Sequence, residues 1–131
     1  QWMGVSLAVQ DSLEPSLIEL VKIRASILNA CANCINMHTA DARSLGETEQ
    51  RIYLLNAWRE TDLYTPEERV ILALVEEVTR IQHHVSDKTY REAVELLGES
   101  YTAQVIMAAV TINAWNRIAV SFHFLPQIKD L

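Results

Sequence analysis

Residues 19–46, ELVKIRASILNACANCINMHTADARSLG, decide how the rest of the chain is interpreted. At their centre lies Cys31-Ala-Asn-Cys34, and His38 follows Cys34 by four residues. Positions three, four and seven apart share one face of a helix, so two sulfurs and an imidazole are expected in one column. A dithiol at this spacing can close a disulfide with little backbone movement. The stretch therefore predicts a redox-active cysteine pair.

The ends of the helix that carries this pair are also predicted. Asn29 is a favourable N-cap residue, and Gly46 is a favourable residue just after a helix C-terminus, which together predict a helix from about residue 30 to about residue 45. Cys31 then lies in the first turn. Unpaired amide N–H groups and the helix dipole favour a thiolate there.

Two other interpretations of the cysteines and His38 stay open. They could be small residues of an apolar core, or they could supply three of four zinc ligands. Zinc sites usually draw ligands from two separate segments, and none of His83, His84 and His123 lies in a second ligand motif. We favour the redox interpretation and expect neither a metal nor a cofactor.

The motif also matches a known family. Glu19 precedes Cys31 by twelve residues, and the CxxCxxxH pattern is followed by Asp41-Ala-Arg43. This arrangement resembles the alkylhydroperoxidase D-like (AhpD-like) proteins of the carboxymuconolactone decarboxylase superfamily. The resemblance runs from about residue 13 to about residue 120, with similar phrases at LVKIRAS (20–26), GETEQR (46–51), AWRE (57–60) and NAWNR (113–117).

The resemblance and the helix spacing together predict a thiol-dependent peroxidase of the alkyl hydroperoxide reductase type. His38, one turn from Cys34, would take the thiol proton, and the resemblance implies that Glu19 orients His38. Cys34 would attack the hydroperoxide, and Cys31 would resolve the sulfenic acid to a disulfide. The best-known members carry a His directly before the second cysteine, whereas this chain has Asn33. Since Asn cannot shuttle protons, we expect low peroxidase activity.

Length and composition narrow the class of protein. The 131 residues suit one domain, residues 1–131, and a net charge of −6 without a basic cluster argues against nucleic acid and anionic membranes. The longest apolar stretch, residues 105–112, is too short to span a bilayer. Two cysteines in one CxxC predict a reducing, cytoplasmic location. Because Gln1 is not an initiator, we expect the residues before it to have been trimmed or to be disordered, and a removed targeting segment stays open.

The periodicity predicts an all-α fold, a compact helical domain of about six or seven helices with the CxxC motif at the N-terminus of a core helix. Only three Gly and three Pro occur, and no strand-length alternation stands out. The expected helices lie at residues 2–9, 15–29 and 30–45, after Thr48 with Ile52, Tyr53, Leu55 and Trp58 facing inward, at 65–82 with Val70, Leu74, Val78 and Ile81 buried, at 87–97 between Ser86 and Gly98, and at 101–122.

The last of these helices is apolar nearly all round, which requires burial on several sides. In so small a domain another subunit is the expected cover, and the resemblance implies a homo-oligomer, either a trimer or a hexamer. The expected partners are a small hydroperoxide substrate and a dithiol or lipoyl-type reductant, with no nucleic acid and no membrane.

Two rival functions belong to other classes. Disulfide exchange or a role in the stress response, with weak peroxidase activity, also suits a CxxC pair. The resemblance also extends to enzymes of the carboxymuconolactone decarboxylase type, which are similar in fold but generally lack the cysteine pair. They use carboxylate and imidazole chemistry on a small organic acid, so the presence of both Cys31 and Cys34 argues against that alternative.

Overall fold

A computed structural model describes residues 13–129 of the chain. That range contains six α-helices, two short 3₁₀ segments and no strand, which confirms the all-α prediction. The helices are α1 (Pro15–Leu28), α2 (Ala32–Ser44), α3 (Glu49–Leu54), α4 (Pro66–Thr79), α5 (Asp87–Leu97) and α6 (Glu99–Ser121), with 3₁₀ segments at Leu55–Glu60 and Ile81–His83. The helix expected at residues 2–9 lies outside the described range.

Helix α1 lies at the centre of the domain, because it packs against α2, α4 and α6. One face of α1 joins α4, α5 and α6 in the larger core cluster. The other face joins α2, α3 and the first 3₁₀ segment in a smaller one. The larger cluster includes Ile18, Val21, Leu74, Val75, Val105 and Ile112, and the smaller includes Leu20, Ile23, Ala42, Ile52, Leu55 and Trp58. A polar side chain on α1 can therefore be held rigidly against α2.

Three helices start where the sequence predicts them, each after a residue whose side chain caps the helix. Thr65 accepts from the backbone N–H of Glu68 at 3.1 Å, and the Glu68 carboxylate accepts from Thr65 N at 2.8 Å, which completes a capping box. Thr48 and Ser86 cap α3 and α5 through their hydroxyl oxygens. These starts were predictable because each cap bonds only to atoms within three residues.

The predicted start of the cysteine helix is wrong. Asn29 is not its N-cap: its backbone N–H donates to Ala25 O, so it closes α1 instead. The chain then turns through Ala30, at φ 55°, and Cys31 becomes the N-cap of α2. Because the turn takes two residues, α2 begins at Ala32. Gly46 follows its end at φ 93°, as a terminating glycine should.

Two side chains expected inside are exposed. Helix α4 ends at Thr79 and not near residue 82, because the backbone leaves helical geometry at Arg80 (φ −95°, ψ 54°). Ile81 therefore falls in the 3₁₀ turn and is 55% exposed. Tyr53 is 60% exposed because its neighbour Ile52 takes the one buried face of the six-residue α3.

The last helix, α6, is buried along one side and open along another. Val105, Ala109 and Ile112 are covered by the domain, whereas Met107, Val110 and Val120 remain 41–48% exposed. An apolar helix therefore shows part of its apolar surface at the outside of a single chain. No helix between residues 13 and 129 combines the length and the hydropathy needed to cross a membrane.

Candidate redox site

The packing of α1 on α2 brings Glu19 and His38 together. Oε2 of Glu19 lies 3.1 Å from Nδ1 of His38, and the two residues are only 7% and 9% exposed. A carboxylate at one ring nitrogen fixes the orientation of an imidazole and its tautomer, because Nδ1 keeps the proton that it donates. The other nitrogen, Nε2, is then the one that can accept a proton.

Cys31 and Cys34 are joined by a disulfide, with their Cα atoms 5.2 Å apart. Both are buried, and Ala119 of α6 packs against them. The backbone N–H of Cys34 donates to Cys31 Sγ at 3.3 Å. The sulfur of Cys31 thus occupies the place of an N-cap oxygen, where the helix dipole and an N–H donor favour negative charge. In the reduced protein this position would stabilise a thiolate on Cys31.

Cys34 and His38 lie one turn apart on α2, and both are buried. Cys31 precedes both as the cap residue of the same helix. All four residues singled out in the sequence, Glu19, Cys31, Cys34 and His38, lie at the junction of α1 and α2.

Two further charged residues, Lys22 and Asp41, reach the site; neither was predicted as a site residue, although Asp41 follows the CxxCxxxH pattern. Lys22 Nζ lies 3.5 Å from Glu19 Oε1, and Asp41 Oδ2 lies 3.9 Å from His38 Nδ1. Each stands three residues after the group it approaches, so the (i, i+3) rule for helix neighbours would have found both. The site therefore holds Lys22, two carboxylates and one imidazole.

Glu19, His38 and Asp41 could together contact a cation, since their potential ligand atoms lie within 4.8 Å of one another. Imidazole and carboxylate ligands suit zinc and related ions. However, the Lys22 ammonium group already stands beside Glu19. Its charge opposes a second cation at the same carboxylate, which argues against a metal in this group. The cysteines are bonded to each other and do not belong to it.

The chain is an all-α domain with a CxxC disulfide at a helix N-terminus and a buried Glu–His pair on the same helix and its neighbour. These features define its class as a small helical thiol–disulfide protein. The chain belongs to the carboxymuconolactone decarboxylase family, whose sequence profile matches residues 1–77. It is 46% identical over 113 residues to the uncharacterized protein YdfG of Bacillus subtilis (strain 168). That match covers 86% of this chain and 77% of YdfG.

Solved structures of similar proteins have the same fold. One of them is a protein of unknown function from Agrobacterium tumefaciens, suggested to be the antioxidant defence protein AhpD. It superposes with a TM-score of 0.93 at 36% sequence identity. The match covers 98% of this chain and 89% of the Agrobacterium chain. Peroxidase-related proteins from Silicibacter sp. TM1040 and Ralstonia eutropha JMP134 give TM-scores of 0.83 and 0.82. Both are 18% identical and cover 96% of this chain and 68% of their own, which shows the fold alone. The AhpD-like fold is thus confirmed.

Proposed function

We propose that this protein is a thiol-dependent peroxidase that reduces small hydroperoxides with the Cys31–Cys34 pair. The observation that carries the proposal is the buried hydrogen bond between Glu19 and His38 at 3.1 Å, one helical turn from Cys34. A histidine held in this way is a general base for a neighbouring thiol. Glu19, Cys31, Cys34 and His38 are the proposed catalytic residues.

The first step is attack by Cys34. His38 Nε2 takes the thiol proton, directly or through a water, while Glu19 holds Nδ1 and stabilises the imidazolium. The Cys34 thiolate attacks the terminal oxygen of the hydroperoxide. An S–O bond forms, the O–O bond breaks, and the alkoxide leaves as the alcohol after taking the proton from His38. Cys34 is then a sulfenic acid.

The second step is resolution by Cys31. Its thiolate attacks the sulfur of the Cys34 sulfenic acid, hydroxide leaves and is protonated to water, and the disulfide forms. A dithiol or lipoyl-type reductant then returns two electrons and two protons to the pair. The sum is one hydroperoxide and one dithiol converted to one alcohol, one water and one disulfide. The proposed location is the cytoplasm, where such reductants keep thiols reduced.

Disulfide exchange is the second candidate function, favoured by two observations. Asn33 stands directly before Cys34 and cannot shuttle a proton. The backbone N–H of Cys34 donates to Cys31 Sγ and would stabilise negative charge on that sulfur. Cys31 would therefore be a good leaving group when the thiol of another protein attacks the disulfide. Lactone decarboxylase chemistry remains the weaker alternative, because it gives the buried cysteine pair no role.

We also propose that the protein is a homo-oligomer, either a trimer or a hexamer. Support comes from exposed apolar side chains on α6 and in the segment after it. In that segment, Phe122, Leu125 and Ile128 are 71–83% exposed. Such a patch is typical of a subunit interface. Sedimentation at micromolar concentration should show a species several times the chain mass of 14.9 kDa; a single-chain species would contradict assembly.

The deciding experiment is peroxide consumption with a dithiol reductant, followed by mass spectrometry of the cysteines. Cys34→Ser should abolish turnover. Cys31→Ser should allow one attack and leave Cys34 with one added oxygen atom, for want of a resolving thiol. If Cys31 in the Cys34→Ser protein gained the oxygen at the full rate, the roles of the two cysteines would be reversed. If the wild type ignored peroxide but exchanged disulfides, the second candidate would replace the first.

A further inference from the structure

A cluster of buried and half-buried polar side chains links α6 to the turn before Cys31. We call it the Asn cluster; its members are Ser26, Asn29, Thr79, Asn113 and Asn116. Nδ2 of Asn29 donates to Oδ1 of Asn113 and to Oδ1 of Asn116, both at 2.9 Å, across 84 and 87 residues of sequence. Asn116, which is fully buried, donates to Ser26 Oγ at 3.0 Å.

The hydrogen bonds of the Asn cluster continue through Asn113. Its Nδ2 donates to Thr79 Oγ1 at 3.0 Å and to Ala109 O at 2.8 Å, and its Oδ1 also accepts from Arg117 Nη1 at 3.0 Å. Buried amides destabilise a core unless they are hydrogen-bonded, but when paired they select one geometry over others. The Asn cluster therefore fixes one relative position of α6 and the end of α1.

That position is directly coupled to the cysteines. The carbonyl of Ser26 accepts from the backbone N–H of Cys31 at 3.0 Å, so Ser26 bonds to Asn116 on one side and to Cys31 on the other. The intervening Ala30 adopts φ 55°, a conformation that a residue with a Cβ holds only when its surroundings impose it. One turn after Asn116, Ala119 packs on both sulfur-bearing residues.

We propose that Asn29 and Asn116 are positioning residues for the redox pair: they hold the turn so that Cys31 meets Cys34 at disulfide distance. A disulfide requires a narrow range of Cα separation, and the pair is at 5.2 Å. When the two reduced cysteines are already held near this geometry, each thiol has a high effective concentration for reaction with the other. The resolution of a sulfenic acid by Cys31 rests on the proposed peroxidase function, whereas the dithiol–disulfide equilibrium does not.

The test is the equilibrium between dithiol and disulfide in a dithiothreitol redox buffer, for Asn29→Ala and Asn116→Ala. Each variant removes hydrogen bonds that fix the turn before Cys31. The equilibrium constant for disulfide formation should therefore fall by roughly tenfold, equivalent to about 30 mV in reduction potential. Thr111→Val is the matched control, since it removes a buried hydroxyl on α6 whose only hydrogen bond within residues 13–129 is to Met107 O. Its equilibrium constant should equal that of the wild type.

Unfolding of the oxidised and the reduced forms separates positioning from a merely structural role. If the Asn cluster only stabilises the fold, both variants lower the unfolding temperature of both forms equally and leave the equilibrium constant unchanged, which would overturn the proposal. Should Asn116→Ala fail to fold, Asn29→Ala decides alone, because Asn29 is only half-buried and lies at a helix end.

A second measurement distinguishes this inference from the proposed function. In a Cys31→Ser background, Asn29→Ala should leave the rate at which hydrogen peroxide oxidises Cys34 unchanged. A tenfold slower attack would mean that the cluster serves Cys34 and not Cys31, against the proposal. A wild type that does not react with peroxide would refute the peroxidase function, while the redox-buffer equilibrium would still test the positioning role.

Discussion

Two buried glutamates, Glu19 and Glu76, have the same exposure of 7% but different surroundings. Glu19 is shared between His38 at 3.1 Å and Lys22 at 3.5 Å. The first of these partners is an imidazole, whose ring nitrogens can both donate and accept a proton. Glu19 therefore contacts a group whose charge can change during a reaction.

Glu76 is instead surrounded by donors of fixed charge. Its Oε2 accepts from Arg24 Nε at 2.9 Å and from Trp58 Nε1 at 2.8 Å, and its Oε1 accepts from Arg59. Burial alone would raise the pKa of Glu76, but the hydrogen bonds from Arg59 and Trp58 and the charges of Arg24 and Arg59 lower it below its usual value. The comparison teaches that burial alone does not distinguish the two carboxylates; what differs is whether the partner of the carboxylate can exchange a proton.

The largest effect on the reaction rate is expected at the proposed proton relay of Glu19 and His38. Glu19→Gln and His38→Gln should each slow the oxidation of Cys34 by roughly 10²- to 10⁴-fold, because general-base assistance is lost. Since the two residues act as a unit, the double variant should lose little more than the worse single one. Stopped-flow thiol oxidation measures the rate. Full activity in both single variants would remove the relay from the mechanism and end the contrast with Glu76.

Glu76→Gln should do the opposite, with a loss of stability of about 3–5 kcal/mol and no change in the peroxide rate of the folded protein. The cause is Arg24, whose side chain is 12% exposed and would keep its charge without a carboxylate partner. Urea unfolding measures the loss. Glu49→Gln is the control, because its ion pair with Arg43 is exposed and should contribute little. Equal losses in the two variants would contradict a special role for burial.

Acid should reveal Glu76 by a smaller effect. Its folded pKa is lowered from 4.5, so its contribution to stability is present above that value and is lost as the pH falls through the folded pKa. Between pH 7 and pH values below about 4, the wild type should lose more stability than Glu76→Gln does. Unfolding free energies at both pH values test this. Parallel pH profiles would show that the folded and unfolded pKa values do not differ.

The smallest expected effect is at Thr65, an exposed hydroxyl in the capping box of α4. Thr65→Ala should destabilise the protein by about 1 kcal/mol, since Glu68 N loses its acceptor. Thr65→Ser keeps the hydroxyl and should stay close to the wild type. Thermal unfolding of the pair sets the scale against which Glu76 is judged. A larger loss at Thr65 than at Glu76 would invert the comparison.

The placement of the candidate site residues was largely predictable, because most of the signals are local. Cys31, Cys34 and His38 are related by helical spacing, and Lys22 and Asp41 could have been found by the same (i, i+3) rule. Glu19 is different: helix periodicity alone would make it an ordinary solvated acid, and only the family spacing singled it out. Its contact with His38 depends on how α1 packs on α2.

Asn29 shows where local reasoning fails. Its residue type favours an N-cap, but its side chain instead finds partners on α6. Tyr53 and Ile81 were misplaced for a related reason, since an apolar residue near a helix end is buried only if the helix continues past it. Nothing within a few residues of these positions records where the chain turns.

By itself, the sequence determined the all-α class, the starts of α3, α4 and α5, and the cysteine pair with its histidine one turn away. Caps and helical faces are set by bonds and spacings of three or four residues, which a sequence displays directly. Only the tertiary structure decided that Glu76 meets Arg24 and that Asn29 meets Asn116. Those partners lie 52 and 87 residues apart. They meet because apolar faces pack the helices together, and the polar groups caught between them must then find one another.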